Sequence, residues 1–417
     1  MNSESKAPQP LLTPLMRWFL LAMVLANVAG GMLPMLMPLY LEEMGASVGQ
    51  IGMVFTITSI AVLALQIFGG WVSDSIGRLR AIAIGSIGGI IGYTALLLAP
   101  TWEWMILALA IHQLPYALVG PSFGAFIAEN STLSNRGKVY GLVDTIYQIT
   151  GIVGPPLGGF LAGTYSFKLM LLVSGLLYAL AAALRIWMAT TMHTATVGSE
   201  KLSLRSLKTS MGTMVGLVAG GGVITWIFVT DGVRDVAFNL SGSLQPLYLE
   251  QIGGLTVQQI GLLGSIFSAA MMVTPILSGR ISDRYGERVP ITAGFLLMFV
   301  ALVIFLNASG FWGFALTWVV FGLGVGLLSP AYQSLMSKVV PQNMLGVFTG
   351  LFRSSIGLLS LPAPYIGARL WEHYGPRVPF IITAIAAFVT VVPVWFKFKV
   401  PEQTRPPAAC TEADPSP

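Results

Sequence analysis

Three charged residues lie close together within a long apolar stretch, residues 214–248. Asp231, Arg234 and Asp235 have the spacing that places side chains on one face of a helix, and Asn239 continues that face one turn later. In a membrane such a cluster should face a polar cavity, because an ionic side chain in hydrocarbon is costly. We expect Asp235, the deeper carboxylate, to carry a proton. A self-neutralising structural triad is the alternative interpretation.

Other polar side chains fall near the middle of apolar stretches. A free histidine side chain titrates close to physiological pH, so His112 could hold a proton or an anion, although hydrogen-bonded packing would also account for it. Gln113, Tyr332 and Gln333 could contact a substrate. Asn27 is a further cavity candidate, because it matches Asp235 in the internal repeat described below.

Opposite charges also occur at matching positions of that repeat. Asp144 matches Arg353, and Glu129 matches Lys338. Equivalent positions face each other across a twofold axis, so these pairs could close a gate when two halves of the molecule meet. The alternative is that each charge is paired within its own half.

The composition explains why these charges are informative. Charged residues make up 9% of the 417 residues and the hydrophobic set 55%, against about 25% charged in a typical soluble domain. The mean hydropathy is +0.78. Such a chain cannot cover a soluble surface, and apolar stretches of about 20 residues are long enough to cross a bilayer. Twelve spans are predicted, at residues 16–40, 48–72, 79–100, 103–128, 138–163, 168–190, 214–248, 256–281, 289–309, 311–337, 345–370 and 377–398.

The loops between these spans carry most of the 22 Lys and Arg residues on one side, and only Arg234 and Arg353 are assigned to the spans themselves. This asymmetry predicts cytoplasmic termini, because cytoplasmic loops are enriched in cations. The first apolar stretch is too long for a cleaved signal core and should remain as an anchor. The single cysteine, Cys410, excludes an intramolecular disulfide. The cations lie in short loops, which does not indicate nucleic-acid binding.

The chain repeats itself. The turn Gly70-Trp-Val-Ser-Asp-Ser-Ile-Gly-Arg78 recurs as Gly279-Arg-Ile-Ser-Asp-Arg-Tyr-Gly-Glu287, and Pro38-Leu-Tyr-Leu-Glu42 recurs as Pro246-Leu-Tyr-Leu-Glu250. The repeat unit is six spans. An even number of spans keeps both copies in the same orientation, so the pseudo-twofold axis should lie along the membrane normal. We predict an all-α membrane protein with two six-helix bundles.

The turn and the six-plus-six pattern resemble the major facilitator superfamily, over residues 14–400. The charged turn could act as a cytoplasmic latch, because Asp74 can accept hydrogen bonds from a helix N-terminus in the other half and Arg78 can reach Glu129 or a lipid phosphate. The alternative is that the loop cations are a topology signal and Gly77 forms the turn. With the matched charge pairs, we predict a cytoplasmic gate at Asp74, Arg78, Arg80, Glu129, Arg136, Asp144, Asp283, Arg288, Lys338 and Arg353.

Span 5 resembles the antiporter motif of the 12-helix drug:proton antiporters. The residues that carry this resemblance are Gly154, Pro155, Gly158 and Gly159, whose small side chains let helices approach closely. In those exporters the motif is thought to keep the outer side closed; tight packing alone is the alternative. Span 4 of such exporters usually carries an arginine in the middle of the membrane, whereas residues 109–113 contain none.

The functional prediction is a secondary transporter rather than an enzyme. The sequence has no phosphate-binding loop, no nucleophile–base pair and no histidine cluster, so neither ATP, a cofactor nor a metal site is expected. The leading hypothesis is proton-coupled efflux of a small amphipathic or drug-like compound from the cytoplasmic membrane. Alternatives are uptake of an anionic metabolite or a lipid, or a non-transporting receptor on a carrier scaffold. The resemblance implies a monomer.

The predicted domains follow from the repeat. Residues 1–15 form a cytoplasmic tail, 16–190 the first bundle, 191–213 a polar cytoplasmic linker, 214–400 the second bundle and 401–417 a disordered cytoplasmic tail.

Overall fold

The computed structural model describes residues 14–76, 78–129, 131, 135–191, 216, 220–340 and 345–398, and the regular structure of these residues is helical. Twelve spans follow one another, which confirms the predicted fold class. Below, the terminal face is the side where Pro14 and Lys397 lie, and the distal face is the opposite side. The helices are Pro14–Gly31 and Met37–Glu43 (span 1), Val48–Ile76 (2), Arg78–Leu98 (3), Trp102–His112 and Leu114–Glu129 (4), Arg136–Thr164 (5), Phe167–Thr191 (6), Val223–Gly242 and Gln245–Gln251 (7), Val257–Val273 and Pro275–Tyr285 (8), Arg288–Asn307 (9), Gly310–Val339 (10), Leu345–Ser360 and Ala363–Tyr374 (11) and Val378–Lys397 (12).

Eight spans of the described chain are individually long and apolar enough to cross a membrane, namely spans 1, 2, 3, 6, 8, 9, 10 and 12. Spans 4, 7 and 11 are each divided into two shorter helices. Span 5 is continuous, with Pro155 and Pro156 inside it, and is rich in glycine. Span 7 is predicted to begin at residue 214, but residues 214–215 and 217–219 lie outside the described residues. Residues 220–222 are not helical, and the described helix begins at Val223.

The internal repeat is visible in the local structure. Span 2 begins with reciprocal hydrogen bonds in which Ser47 Oγ accepts from Gln50 N (3.3 Å) and Gln50 Oε1 accepts from Ser47 N (2.7 Å). Span 8 begins with the same capping box formed by Thr256 and Gln259. Each box satisfies backbone groups that have no partner within the helix. Pro38 and Pro246 likewise occupy the first turn of the short second helices of spans 1 and 7.

The hydrophobic core differs between the two faces of the molecule. One continuous cluster joins both bundles near the distal face, where Leu36 and Tyr40 belong to the same core as Leu244 and Tyr248. Toward the terminal face the bundles have separate clusters, one around Phe126 in the first bundle and one around Phe295 in the second. Among the described residues, the bundles therefore share one core at the distal face and have separate cores toward the terminal face.

Glycines allow the bundles to meet at the distal face. A Cβ added at Gly261 of span 8 would lie 2.6 Å from the carbonyl oxygen of Pro155 and 2.9 Å from the Cα of Gly159, both in span 5. At the equivalent Gly52 of span 2, an added Cβ would lie 2.6 Å from the carbonyl oxygen of Pro364 in span 11. Real Cβ atoms do not approach this closely, so these two crossings require glycine.

Polar contacts reinforce the same closure. Glu372 of span 11 accepts a hydrogen bond from Gly49 N at the start of span 2 (2.7 Å) and pairs with Arg369 (3.0 Å). Tyr365 N donates to Thr56 Oγ1 at 3.2 Å, again between spans 11 and 2. A carboxylate at the start of a helix meets free N–H groups and the positive end of the helix dipole. These contacts between the bundles tie the distal face shut.

Candidate functional site

A polar cavity of about 1180 Å³ lies between the bundles. Span 2 supplies Ser59, Val62 and Leu63, and most of the other lining side chains come from spans 7, 10 and 11 of the second bundle. The lining reaches Met336 near the end of span 10 and Thr349 near the start of span 11. Both positions are close to the terminal face, so the cavity extends from the middle of the membrane toward that face.

Span 7 places its charged cluster in this cavity. Arg234 Nη2 lies 2.6 Å from Asp231 Oδ1, and their side chains are 23% and 12% exposed. The Arg234 guanidinium also lies 5.6 Å from the centre of the Tyr332 ring, and the Tyr332 hydroxyl is 3.3 Å from Thr230 Oγ1. Asp231 thus has a cationic partner on its own helix, one turn away.

Asp235 has different partners. Ser360 Oγ of span 11 donates to Asp235 Oδ2 at 2.7 Å, and Asn239 Nδ2 lies 3.3 Å from the same oxygen. These partners are neutral hydroxyl and amide groups, in contrast to the guanidinium beside Asp231. The two carboxylates therefore share a helix face but have distinct electrostatic surroundings, the condition under which one can exchange a proton while the other stays ionised.

Arg353 of span 11 lines the same cavity and is exposed. Asp144, its proposed partner across the axis, is exposed on span 5. Among the described ion pairs none joins Asp144 to Arg353. With separate cores toward the terminal side, this pairing stays a prediction for a conformation closed on that side.

The cavity is lined by some, but not all, of the residues predicted to face a cavity or a gate. Asp231, Arg234, Asp235, Asn239, Tyr332, Gln333 and Arg353 all line it. Asn27 and His112 instead line a second, smaller pocket in the first bundle. Gln113 ends the helix Trp102–His112 at the break in span 4 and lines neither cavity.

The predicted gate at the terminal face is described only in part. The side chains of Asp74, Arg78, Glu129 and Arg136 lie outside the described residues. Of the other predicted gate residues there, Arg80 and Asp283 are exposed, and Arg288 lies 5.0 Å from the centre of the Trp395 ring.

Lys338 has a partner within its own bundle. It pairs with Glu287 at the start of span 9, and Ser334 Oγ donates to Glu287 Oε1 at 2.9 Å. Burial acts to raise the pKa of Glu287, but the hydrogen bonds from Lys338, its own backbone and Ser334 together hold this pKa below its ordinary value. In this conformation Lys338 is therefore paired within its own bundle, which is the alternative interpretation given for the matched charges.

The Glu287–Lys338 pair occupies the same place in the second repeat as the predicted Arg78–Glu129 contact does in the first. Glu287 and Lys338 occupy the positions that match Arg78 and Glu129, with the two charges exchanged. The contact between Arg78 and Glu129 stays a prediction, and the Glu287–Lys338 pair is the geometry that its repeat adopts.

Arg185 is a buried cation that the sequence pattern does not distinguish from the loop cations. It lies inside span 6 with 6% of its surface exposed. Its Nη1 donates to Ser86 Oγ of span 3 at 3.2 Å, and its guanidinium lies 6.0 Å from the centre of the Tyr178 ring. The available signal was a cation two helical turns after Tyr178 in an apolar stretch, since such a residue usually faces the bundle interior.

The twelve spans, the two related bundles and the polar cavity between them define a multi-pass membrane transporter, not an enzyme. The Major Facilitator Superfamily model matches residues 19–230 and 227–415. The chain belongs to this superfamily.

Proteins with similar sequences have names that refer to multidrug resistance. The multi-drug resistance efflux pump PmrA homolog of Lactococcus lactis subsp. lactis (strain IL1403) is 23% identical over 373 residues, which are 87% of this chain and 89% of that protein. The multidrug resistance protein MdtG of Enterobacter lignolyticus (strain SCF1) is 23% identical over 388 residues, or 91% of this chain and 90% of the relative.

Solved structures share the fold. A mutant of the nucleoside transporter NupG superposes with a TM-score of 0.76 at 14% identity, covering 92% of this chain and 100% of the other. A mutant of the peptide transporter POT gives 0.74 at 13% identity, covering 91% and 93%. At this identity the likeness is one of fold.

Proposed function

We propose that the chain exports small amphipathic or drug-like compounds across the cytoplasmic membrane in exchange for protons. The observation that carries this proposal is the cavity of about 1180 Å³, which holds two carboxylates with different partners. It lies between bundles whose described residues share a core at the distal face. A volume of this order accommodates a drug-sized molecule. The names of the PmrA and MdtG relatives support efflux as the direction.

Transport would proceed by alternating access. The bundles would rock about the cavity, breaking the glycine crossings of spans 5 with 8 and 2 with 11 while the terminal side closes. Exposed cations such as Arg17, Arg80 and Lys138 lie at the terminal face, which supports a cytoplasmic location for that face. The cavity would then face the cytoplasm in this conformation, ready to load a compound for export.

Asp235 is the proposed proton carrier. Its hydroxyl and amide neighbours can serve either protonation state, because a hydroxyl both donates and accepts. Asp231 would stay ionised beside Arg234. Binding of a substrate and of a proton would then compete in one cavity, which is the minimum requirement for exchange.

Flux in reconstituted vesicles tests the proposal. A thermal-shift screen of amphipathic cations, neutral compounds and organic acids first identifies a compound that the purified protein binds. Vesicles with an acidic lumen should then accumulate that compound as protons leave. The Asp235→Asn variant should exchange substrate without responding to the pH gradient, whereas Glu103→Gln, which changes an exposed carboxylate at the start of span 4, should behave as wild type.

Other outcomes identify the alternatives. Loss of the compound from acidic vesicles would indicate symport of a metabolite and contradict export. Absence of counterflow for every compound that binds would indicate a receptor. An Asp235→Asn protein with unchanged pH dependence would remove Asp235 from the proposal.

A further inference from the structure

The first bundle contains a second pocket, of about 100 Å³, between spans 1, 3, 4, 5 and 6. Its floor is buried: Arg185 and Tyr178 are each 6% exposed, Tyr93 is 3% exposed and His112 is 8% exposed. Tyr116 and Tyr147, which also line it, are 56% and 42% exposed. The pocket therefore has a closed polar floor and an open side formed by two tyrosine rings.

The charge on this floor is not balanced. Arg185 donates to the neutral Ser86 Oγ at 3.2 Å, and no carboxylate is among the described residues that line the pocket. Asp144, on the same helix as Tyr147, is exposed and does not line it. In the second bundle Arg234 has Asp231 at 2.6 Å. A buried guanidinium is costly without an anionic partner, so this floor is suited to receive one.

A second group on the floor, the Tyr93 hydroxyl, offers a free donor. The Tyr93 hydroxyl is buried and has no hydrogen-bond partner among the residues that the structure describes. A buried hydroxyl without a partner costs free energy comparable to a lost hydrogen bond. Arg185 and Tyr93 both offer N–H or O–H donors, and the acceptor that satisfies both is a carboxylate.

We propose that this pocket binds the carboxylate of a small organic acid. Arg185 would supply the ion pair, Tyr93 a hydrogen bond, and the exposed rings of Tyr116 and Tyr147 would contact the apolar part of the acid. The volume is smaller than a drug-sized site of several hundred Å³, so only the acidic end is enclosed. If the protein exports such compounds, amphipathic organic acids are among its substrates, so the substrate assignment rests on the proposed function. Binding of the carboxylate in the pocket does not depend on it.

Benzoate and benzamide test the site, because they have nearly the same shape and differ in charge. Dissociation constants are measured by calorimetry on the purified full-length protein in detergent at neutral pH. We expect wild type to bind benzoate about tenfold more tightly than benzamide, or better. Arg185→Gln should abolish this preference and leave benzamide binding unchanged, while Arg185→Lys should retain part of it.

The matched control is Arg284→Gln. Arg284 also lies beside a tyrosine, 5.2 Å from the centre of the Tyr285 ring, but both residues are exposed. Its benzoate preference should equal that of wild type. If Arg185→Gln does not fold, Tyr93→Phe replaces it; this variant should weaken benzoate binding about threefold or more without affecting benzamide.

Three results would overturn the proposal: no benzoate preference in wild type, the same preference in Arg185→Gln or Tyr93→Phe as in wild type, or a parallel loss of both ligands, which indicates packing. These measurements use no gradient, so they do not depend on export. Failure of the proposed function would appear only in the vesicle flux, with benzoate binding intact.

Discussion

The two bundles repeat each other in their close packing but differ in their buried charges. Gly52 and Gly261 occupy matching positions, and each allows its span to cross the other bundle at the distal face. By contrast, Asp235 of the second bundle matches the neutral Asn27 of the first, whose Nδ2 donates to Met23 O on its own helix. Rocking about an axis requires equivalent hinges on both sides, whereas a binding site requires particular charges only once.

The cavities show the same division of roles. The large cavity belongs mainly to the second bundle, where two aspartates and two arginines balance one another. The small pocket belongs to the first bundle and contains one arginine with no carboxylate in its described lining. The two duplicated bundles thus have matching helix crossings but different cavities. The following predictions test this contrast.

The largest expected effect concerns the charge balance of the second bundle. Arg234→Gln leaves Asp231 in a partly buried position without its cation, and breaking such a pair costs about 3 kcal/mol. We expect a clear fall in the temperature of unfolding in detergent. The double variant Asp231→Asn/Arg234→Gln should lose less than Arg234→Gln alone, because no charge is left unpaired. A double variant less stable than either single one would show that the pair is not self-balancing.

The second prediction concerns the symmetric glycines. Gly261→Ala and Gly52→Ala should each separate the bundles at the distal face, because overpacking costs about 1–3 kcal/mol. A cost of about 1.4 kcal/mol is enough to lower the population of the closed conformation tenfold. Spin labels at Lys168→Cys and Arg377→Cys, both exposed at the distal face, report the separation in a Cys410→Ser background. We expect a longer distance between the two spin labels and a rate of substrate exchange at least tenfold lower than that of wild type.

The controls are the matching pair Gly141→Ala and Gly350→Ala. An added Cβ at either position meets nothing within 4 Å. Both variants should keep the wild-type distance. If only one of Gly52→Ala and Gly261→Ala opened the distal face, the two crossings would not be mechanically equivalent.

The third prediction concerns the pH dependence of stability at the terminal face. The pKa of Glu287 lies below its ordinary value, so the folded state favours the ionised form. The stabilisation by Lys338 is therefore complete above the ordinary glutamate pKa of about 4.3 and is lost as the pH falls through the lower folded value. Glu287→Gln should unfold more readily than wild type at pH 7, by about 1 kcal/mol because Lys338 is half exposed.

This difference should disappear in strong acid, where Glu287 of the wild type is also neutral. The exposed Glu103→Gln serves as the control and should match wild type at both pH values. A difference between wild type and Glu287→Gln that is the same at pH 7 and in acid would indicate a packing effect rather than the ion pair.

The smallest expected effect concerns the repeated glutamates at the distal face. The Glu250 carboxylate lies near Glu42 and Glu43, and the Gln251 side chain donates to Glu42. Because closure brings these carboxylates together, the closed distal face binds a proton more tightly than the open one. Closure should therefore strengthen as the pH falls and the cluster takes up a proton.

The distance between the labels at positions 168 and 377 measures this response as a function of pH. Glu250→Gln should hold the distal face closed with a weaker pH dependence than wild type. An identical pH dependence in the two proteins would assign the response to another group.

The spans and the two bundles could be predicted from the sequence, because both depend on local properties of the chain. Apolar stretches of sufficient length predicted twelve spans, and the two copies of the Gly-xxx-Asp turn predicted the two bundles. The helix face shared by Asp231, Arg234 and Asp235 follows from helical periodicity alone, and the structure places all three in one cavity.

The partners of these residues could not be predicted in the same way. Ser360 reaches Asp235 from span 11, and Ser86 reaches Arg185 from span 3, so each contact depends on how distant helices pack. Arg185 was misplaced because it lies near the end of its apolar stretch, where a loop cation and a buried arginine look alike in sequence.

The sequence by itself determined the number of spans, their duplication and the helix face of the charged cluster, since hydropathy and periodicity act along the chain. Only the tertiary structure decided that the distal face is closed and that Lys338 pairs with Glu287. It also decided that one cavity contains both signs of charge, whereas the pocket of the other bundle has a buried arginine and no carboxylate among its described lining residues. The physical reason is that charge balance and burial are properties of neighbours in space. For these residues the neighbours are contributed by helices far apart in the chain.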